Sequence, residues 1–426
     1  MIKQLTKKSF LDQLNKQAAP SQDKETIFET AKTVIQAIRE EKDAALFQYI
    51  EKFDGPLTGD IEVSKEERKA AWEKVDQRTI QALERAAANI RKFHQKQIKE
   101  SKFMQHDAEI VSGQLYRPIE KVGIYVPGGT ACYPSSVLMN AIPAALAGVE
   151  KVIMVSPARQ GGEIAPILSV AADISGVDTI YKVGGIQAVA ALSYGTESVE
   201  KVDKIVGPGN AYVAAAKSLV YGDVGIDMIA GPSEVAIIAD ESAKAKHIAS
   251  DLIAQAEHDT LARAYLFTTS KSLIEETERE LVEQLEALPR QAIATEALTR
   301  FGGLVLVTSL TEAFELSNLM APEHLEVQID HALDYLRFIK HAGSVFLGHY
   351  TPESLGDYYA GPNHVLPTSG TAKFSSGLSV DDFVKKTTFL YYSKEALEQS
   401  KDDIVTIATE EQLAGHARAV LKRFED

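Results

Sequence analysis

The sequence predicts an α/β protein with two α/β halves, a helical N-terminal part and a helical C-terminal tail. From about residue 122, short β-branched runs are each followed by glycine or proline and then by an alanine-rich helical stretch: "VGIYV", "KVIMV", "TIYKV" and "DKIV". A second series of runs comprises "EVAIIAD", "AYLFT", "LVLVT" and "GSVFLG". Strand–turn–helix alternation at this spacing is typical of parallel sheets. The two series therefore predict two parallel halves, joined near Gly231–Pro232.

Helical patterns flank these halves. The segment "SKEERKAAWEKVDQRTIQALERAAANIRKFHQKQ" contains neither glycine nor proline, and its Ser64 and Glu67 have the spacing of a capping box. It predicts a helix of many turns. The tail, from about Ser379 to Asp426, ends in the amphipathic pattern "TEEQLAGHARAVLKRFE".

Composition restricts the classes of partner. The net charge of −15 over 426 residues argues against a nucleic-acid partner, because phosphate binding needs a basic surface. The single cysteine, Cys132, excludes an intrachain disulfide and a cysteine-based zinc cluster. The N-terminal "MIKQLTKKSF" lacks an apolar signal-peptide core, and the run "MNAIPAALAGV" is too short to cross a bilayer. We therefore predict a cytoplasmic protein that has no membrane partner.

Three glycine turns in the first half predict a nucleotide site. They are "YVPGGTACYPSS", "KVGGIQAVAAL" and "IVGPGNAYVAAAK", each between a strand and a helix, and they carry Tyr125, Gln187 and Asn210 as nearby polar groups. Backbone amides at such turns suit a phosphate, and α/β sheets bind ligands at their carboxyl edge. The dinucleotide pattern G-x-G-x-x-G is absent from the sequence, which argues against standard Rossmann geometry. The alternative for each turn is tight-turn chemistry alone.

A scattered set of polar residues has the chemistry of a metal site. Gln255 and His258 lie three residues apart near the end of a predicted helix, on one face. With Asp357 and His416 they would supply two imidazoles, one carboxylate and one amide oxygen, a mixture that suits a divalent ion such as zinc. The alternative is that polar residues gather at a helix end.

Further candidates are proton-transfer groups and a hydroxyl. Glu323 and His324 are adjacent in "APEHLE" and could transfer protons near neutral pH. The alternative is a solvated glutamate beside a packed histidine. Ser233 lies at the start of a predicted strand and could bind substrate, but the G-x-S-x-G pattern of a nucleophile elbow is absent around it. Cys132 is interpreted as a small buried residue.

Taken in order, these segments resemble the histidinol dehydrogenase family. The resemblance covers about residue 25 to the C-terminus and is carried by "VGIYVPGG", "YPSSVLMNAIPA", "VGGIQAVAAL", "KIVGPGNAYV", "AGPSEV", "DLIAQAEHD", "APEHLE", "GDYYAGPNHVLPT" and "EEQLAGHARAV". It implies oxidation of L-histidinol to L-histidine through L-histidinaldehyde in two hydride transfers to NAD, the last step of histidine biosynthesis. It also implies one zinc ion per subunit.

The resemblance also implies roles for individual residues. The zinc ligands would be Gln255, His258, Asp357 and His416, with substrate nitrogens completing the shell and these residues therefore contacting substrate. His324 would be the base for alcohol oxidation, and Glu323 would activate the water that adds to the aldehyde. The remaining substrate contacts would be Ser233, His364 and Glu411. The cofactor contacts would be Tyr125, Gln187 and Asn210.

The family's architecture implies two incomplete Rossmann-like domains and an intertwined homodimer. The predicted division is an N-terminal segment (1–21), a discontinuous larger domain (22–122 and 235–378), an inserted domain (123–234) and a tail (379–426) that is exchanged between subunits and reaches the partner's active site. One departure is Asp259, where the family commonly has glycine. It could orient the His258 imidazole or point to solvent.

Two alternatives stay open at this point. An aldehyde dehydrogenase-like enzyme would share the NAD chemistry but would need Cys132 as its nucleophile. A zinc-dependent hydrolase would use Glu323 to activate a metal-bound water, and would leave the glycine turns without a function.

Overall fold

The computed structural model describes residues 2–17, 23–57, 59–105, 109–128, 132–159 and 162–425. The chain forms two compact units. The first comprises Met1–Gln97 and Ile119–Phe383, and the second comprises Ile98–Pro118 and Val384–Asp426. Part of the predicted N-terminal segment, residues 18–21, and part of the first glycine turn, residues 129–131, lie outside the described residues.

The N-terminal part is a short strand followed by helices. Its elements are β1 (Gln4–Leu5), α1 (Lys7–Gln17), α2 (Asp23–Glu41), α3 (Asp43–Phe53), α4 (Lys65–Lys74) and α5 (Gln77–His94). The predicted capping box is confirmed: Ser64 accepts from the Glu67 backbone, and the Glu67 side chain accepts from the Ser64 backbone. The prediction of one continuous helix was wrong. Asp76 caps a second helix by accepting from Thr79 N at 3.0 Å, which ends α4 before α5 begins.

The second unit contributes the next two strands, β2 (Lys102–Gln105) and β3 (Ile110–Pro118). Both belong to a three-stranded antiparallel sheet with β14 (Val384–Tyr392) at its other edge. This unit ends in two helices, α15 (Lys394–Glu410) and α16 (Ala414–Leu421). The pattern that predicted one terminal helix is broken between them, where Gln412 takes the left-handed conformation with φ 60°.

A five-stranded parallel sheet forms the first predicted α/β half. Its strands are β4 (Lys121–Tyr125), β5 (Lys151–Ser156), β6 (Thr179–Lys182), β7 (Lys204–Val206) and β8 (Gly225–Ile226), in the order β6-β5-β4-β7-β8. The connecting helices are α6 (Pro134–Ala147), α7 (Pro166–Ser175), α8 (Gly185–Tyr194) and α9 (Ala211–Val220). The strand order reverses direction between β4 and β7, which is where open α/β sheets bind ligands. Helix α2 packs on α8 and α9, α4 packs on α7, and α5 packs on α6.

A six-stranded parallel sheet forms the second predicted half. It contains β9 (Glu234–Ala239), β10 (Arg263–Thr268), β11 (Gly303–Leu306), β12 (His324–Gln328) and β13 (Ser344–Leu347), in the order β1-β11-β10-β9-β12-β13. Its helices are α10 (Ala245–Ala256), α11 (Lys271–Glu286), α12 (Gln291–Phe301), α13 (Leu310–Met320) and α14 (Glu353–Tyr358). The central strands β9 and β12 are buried along their whole length, as expected for a sheet covered on both faces.

The mixed α/β class with two parallel sheets is therefore confirmed. The predicted domain boundaries and the exchange of the tail stay predictions. Within the described part of the chain, every helix is too short or too polar to cross a membrane.

Candidate functional site

A cleft of about 960 Å³ opens at the carboxyl edge of the five-stranded sheet. Tyr125 ends β4, Gln187 lies in the first turn of α8 and Asn210 is the N-cap of α9, and all three line this cleft. The structure thus brings the three predicted cofactor residues together. Asp54, at the end of α3, also lines the cleft, although no sequence pattern indicated it.

Asp54 holds the glycine turn at this edge. Its Oδ2 accepts from the Gly184 main-chain N–H at 2.9 Å and from the Gln187 amide at 3.0 Å. The Oε1 atom of Gln187 is buried and has no hydrogen-bond partner among the described residues. A buried acceptor without a partner is unfavourable, so this oxygen suits a ligand donor. Burial raises the pKa of Asp54, although its two hydrogen bonds lower that pKa in part.

Tyr125, which lines the cleft, is packed against Gly207. The Tyr125 hydroxyl accepts from the Gly185 N–H at 3.0 Å, and burial raises the pKa of Tyr125 to about 12, so the phenol stays protonated and can donate to a ligand. Gly207 has φ 108°, and a Cβ there would lie 2.2 Å from the Tyr125 carbonyl oxygen. Only glycine fits this position, which explains the "VGPGN" turn leading to Asn210.

A second group of polar residues lies at the amino edge of the six-stranded sheet. Glu234 and His324 are the first residues of β9 and β12, Gln255 is in the last turn of α10, and Asp357 is on α14. This edge is opposite to the one where α/β sheets usually bind ligands. Parallel strands β9 and β12 lie side by side, with His324 opposite Val235, so their first residues are neighbours although 90 positions apart in the chain.

His324 and Gln255 share one acceptor. The Glu234 carbonyl oxygen lies 3.1 Å from His324 Nδ1 and 3.1 Å from the side-chain amide of Gln255. The nitrogen of this amide is assigned to the side that faces two acceptors, the Glu234 carbonyl and Glu353 Oε2, the latter at 3.2 Å. The Oε1 atom of Gln255 is then directed away from these acceptors. His324 Nε2 is buried, has no hydrogen-bond partner among the described residues, and lies 3.8 Å from Asp357 Oδ1. Burial lowers the pKa of His324 to about 4, which keeps the ring neutral.

Glu323 is buried beside His324. Its Oε2 accepts from the Glu234 N–H at 3.1 Å, and Ser233 hydrogen-bonds to the same carboxyl group. Burial raises the pKa of Glu323 well above its ordinary value, and the carboxyl groups of Glu234 and Asp357 raise it further. The predicted residues Ser233, Glu323 and His324 are therefore in one place, and the solvated-glutamate alternative for Glu323 was wrong.

Three side chains can bind a metal ion together. The ligand atoms of His258, Glu353 and Asp357 all lie within 4.8 Å of one another. Burial, together with repulsion from neighbouring carboxylates, raises the pKa of Glu353 well above its ordinary value. A cation would offset the energetic cost of burying these charges. The nitrogen and oxygen donors of these three side chains fit the predicted zinc ion.

Glu353 was missed in the sequence, although a signal was present. Glu353 and Asp357 are four residues apart, and this spacing places two carboxylates on one face of α14. His364 follows that helix in a loop: its Nδ1 donates to the Asp357 carbonyl at 2.9 Å, and its Nε2 lies 3.3 Å from the Ser136 hydroxyl on α6. A helix of the first sheet thus contacts His364, which the sequence predicts to contact substrate.

Glu411 and His416 belong to the second unit. Glu411 is the C-cap of α15, His416 lies in the first turns of α16, and both are exposed. Their predicted roles stay predictions.

Comparison with known proteins identifies the family. A family model described as histidinol dehydrogenase matches residues 17–424. A histidinol dehydrogenase from Bacillus thuringiensis subsp. konkukian is 56% identical over 400 residues, which cover 94% of this chain and 93% of the relative. The histidinol dehydrogenase of Clostridium acetobutylicum is 55% identical over 399 residues, with coverage of 94% and 93%. The chain belongs to the histidinol dehydrogenase family.

A solved structure agrees. The crystal structure of histidinol dehydrogenase from Elizabethkingia anophelis superposes with a TM-score of 0.94 at 40% identity, covering 99% of this chain and 98% of that one. As a member of the histidinol dehydrogenase family, the chain is an oxidoreductase that oxidises histidinol in histidine biosynthesis.

Two other sequence features now have a place in the structure. Asp259 is exposed, and its carboxylate accepts from the Leu261 N–H at 2.8 Å, which closes the turn from α10 into β10. Cys132 is only partly buried, and it lines the cleft. Burial raises the pKa of its thiol, the opposite of what an activated nucleophile needs.

Proposed function

We propose that this chain oxidises L-histidinol to L-histidine through L-histidinaldehyde, in two hydride transfers to NAD, with one zinc ion per subunit. The observation that carries the proposal is the unpartnered Nε2 of His324, which lies 3.8 Å from Oδ1 of Asp357, a member of the cluster of potential metal ligands. A ring nitrogen free to accept a proton, next to a cluster of potential metal ligands, supports successive oxidation of an alcohol and an aldehyde.

His324 is the base in the alcohol step. We assign the proton to Nδ1, which then donates to the Glu234 carbonyl and leaves the lone pair on Nε2. That atom takes the substrate's hydroxyl proton as hydride leaves the carbon. The carbonyl of Glu234 also stabilises the imidazolium that forms.

Glu323 acts in the aldehyde step. Its carboxylate accepts a proton from the water that adds to the aldehyde, and the hydrate then loses the second hydride. Ser233 and the Glu234 N–H, which hydrogen-bond to this carboxyl group, hold it in place. Ser233 has a second predicted role as a substrate contact, together with His364 and Glu411.

Gln255, His258 and Asp357 would hold the zinc ion, with His416 supplied by a second subunit. When bound, zinc orients the substrate's nitrogen groups and polarises its reacting end. The carboxylate of Glu353 would hold the amide of Gln255 with its oxygen free for the metal.

The cleft lined by Tyr125, Gln187 and Asn210 would bind NAD. The unpartnered Oε1 of Gln187 and the protonated Tyr125 hydroxyl supply an acceptor and a donor there. We also propose that the chain forms an intertwined homodimer. The division into an inserted domain, a discontinuous domain and an exchanged tail belongs to the same proposal.

The test is a stoichiometric assay of the zinc-loaded protein. We expect about two NADH per L-histidinol consumed, NADH formation from L-histidinaldehyde supplied directly, and one zinc per subunit, as two-step oxidation requires. NADH formation from neither substrate in zinc-replete protein would overturn the proposal. A zinc hydrolase would instead show turnover that does not need NAD.

A further inference from the structure

A polar link in the first unit joins the loop of the metal-binding site to helix α6. Asn363 immediately precedes His364, and its side-chain amide donates to the Met139 main-chain carbonyl at 2.7 Å. Its Oδ1 accepts from the Val365 N–H at 2.9 Å. Both Asn363 and Met139 are buried, so water does not compete for these bonds. This contact is named the Asn363–Met139 link.

The carbonyl of Met139 is available because of a proline in the middle of α6. In an α-helix each carbonyl accepts from the N–H four residues later. Four residues after Met139 stands Pro143, which is inside the helix and has no N–H. Proline is the least favourable residue in a helix interior, and the carbonyl that it leaves free is buried. Asn363 supplies the donor that the helix lacks.

The link lies next to a second contact between the same two elements. His364 Nε2 is 3.3 Å from the hydroxyl of Ser136, which is three residues before Met139 and so on the same face of α6. The other ring nitrogen of His364 donates to the Asp357 carbonyl at 2.9 Å. Asn363 therefore fixes the backbone from which this imidazole projects.

Helix α6 is also connected to the dinucleotide cleft. It follows β4, whose last residue Tyr125 lines the cleft, and Cys132 just before α6 lines it as well. The link thus joins an element that borders the proposed cofactor site to the loop that follows α14 and carries His364.

We propose that the Asn363–Met139 link positions the His364 imidazole, and with it the substrate, relative to the dinucleotide cleft, and that Pro143 provides the acceptor. Asn363 is a positioning residue that acts through His364. Hydride transfer depends on the distance between donor and acceptor carbons, and a displacement of about 1 Å can slow a reaction about 100-fold. The inference rests on the proposed function through the substrate-binding role of His364.

Three variants test the link. Asn363→Ala removes both hydrogen bonds, whereas Asn363→Asp keeps an acceptor for Val365 and removes the donor to Met139. We expect both to lower kcat/KM for L-histidinol about tenfold or more and to change the KM for NAD less than about twofold. Pro143→Ala returns an N–H to α6 that competes for the Met139 carbonyl. We expect about a threefold or greater loss of kcat/KM with an unchanged or raised Tm, because alanine favours the helix.

The matched control is Pro166→Ala. Pro166 occupies the first turn of α7, where its missing N–H would have no helical partner, so this variant should keep wild-type kinetics. The double variant Pro143→Ala/Asn363→Ala should lose much less than the product of the two single losses, because both changes act on one bond. A loss of kcat/KM that tracks Tm in every variant, or single losses that multiply in the double variant, would overturn the positioning role.

Urea unfolding of the wild-type protein, of Pro143→Ala, of Asn363→Ala and of the double variant separates this inference from the proposed function. Coupling between positions 143 and 363 in unfolding free energy tests the link without any turnover. Independent effects of the two substitutions on unfolding overturn the link even in an active enzyme. If the wild-type protein forms no NADH, the proposed function fails, and the positioning role fails with it while the link itself is still measured.

Discussion

His324 and Glu234 are joined by a hydrogen bond of 3.1 Å between the imidazole Nδ1 and a main-chain carbonyl. In the proposed mechanism Nδ1 carries the proton, so the neutral ring presents Nε2 as the proton acceptor. The N–H of the same residue, Glu234, holds Glu323 Oε2 at 3.1 Å. The first residue of β9 therefore orients both groups that are proposed to move protons. Glu323 and His324, which are adjacent at the start of β12, can then serve two different steps.

The first prediction separates those steps. His324→Asn removes the base, and we expect NADH formation from L-histidinol to fall about 100-fold or more while oxidation of L-histidinaldehyde falls much less. Glu323→Gln should do the reverse, because it removes the group that takes a proton from water. Single-turnover assays that start from each substrate measure the two effects. Equal losses in both steps for either variant would contradict the division of roles.

The second prediction concerns the metal. His258→Asn should lower zinc affinity at least about tenfold, because one of the four proposed ligand side chains is lost. Chelation of the wild-type protein should abolish turnover, and added zinc should restore it. The control is His331→Asn: His331 is exposed with φ 54°, a conformation that asparagine tolerates. Metal analysis after dialysis is the measurement, and a full zinc content in His258→Asn would rule out this ligand set.

The third prediction tests the cofactor cleft. Asp54→Ala removes the acceptor for the Gly184 N–H and the Gln187 amide, so we expect the KM for NAD to rise about tenfold with the KM for L-histidinol little changed. Asp60→Ala, at an exposed position a few residues further on, is the control. Steady-state kinetics with each substrate varied in turn decides. A rise confined to the KM for L-histidinol would show that the cleft does not bind the dinucleotide.

The fold class could be predicted because each strand and its following turn carry a local signal. Val122 and Ile124 are β-branched residues of a buried strand, and glycine follows where the chain must turn. The strand β1 has no such signal. It is two residues long, and it pairs with Leu304 and Val305 about 300 positions away, so only the completed sheet defines it.

The candidate site was predicted less evenly. Glu323, His324 and Asp357 occur in dense polar segments, but the roles assigned to them depended on the family resemblance. Asp54 was missed because it contacts Gln187 from α3, an element distant in sequence. Glu353 was missed because the helix from which it contacts Gln255 resembled an ordinary loop. No local pattern indicates that the amino ends of β9 and β12 meet, since this depends on strand order.

The fourth prediction is a pH effect on stability. Glu312 accepts from the N–H and hydroxyl of Thr308 and pairs with Lys7, and these contacts lower its pKa to about 2 from 4.5. Because the folded-state pKa is lowered, the ionised Glu312 stabilises the folded protein at pH values above 4.5. This contribution is lost as pH falls from 4.5 towards 2. Glu312→Gln should therefore cost about 1 kcal/mol at pH 7 and progressively less in acid. Urea midpoints across this pH range measure it, with the exposed Glu315→Gln as control; a deficit that persists unchanged in acid would contradict the charge effect.

The fifth prediction tests whether the tail completes the active site of a second subunit. Glu411 is the C-cap of α15 and His416 lies on α16, in a unit distinct from the one that carries Asp357. If His416 acts across the dimer, His416→Ala and Asp357→Ala proteins should each be inactive alone. Mixed dimers should regain activity, because one of their two sites then combines an intact Asp357 with an intact His416. Random mixing gives about half mixed dimers, so we expect about one quarter of wild-type activity. Inactive mixtures in which mixed dimers are shown by mass spectrometry would assign His416 to its own subunit's site.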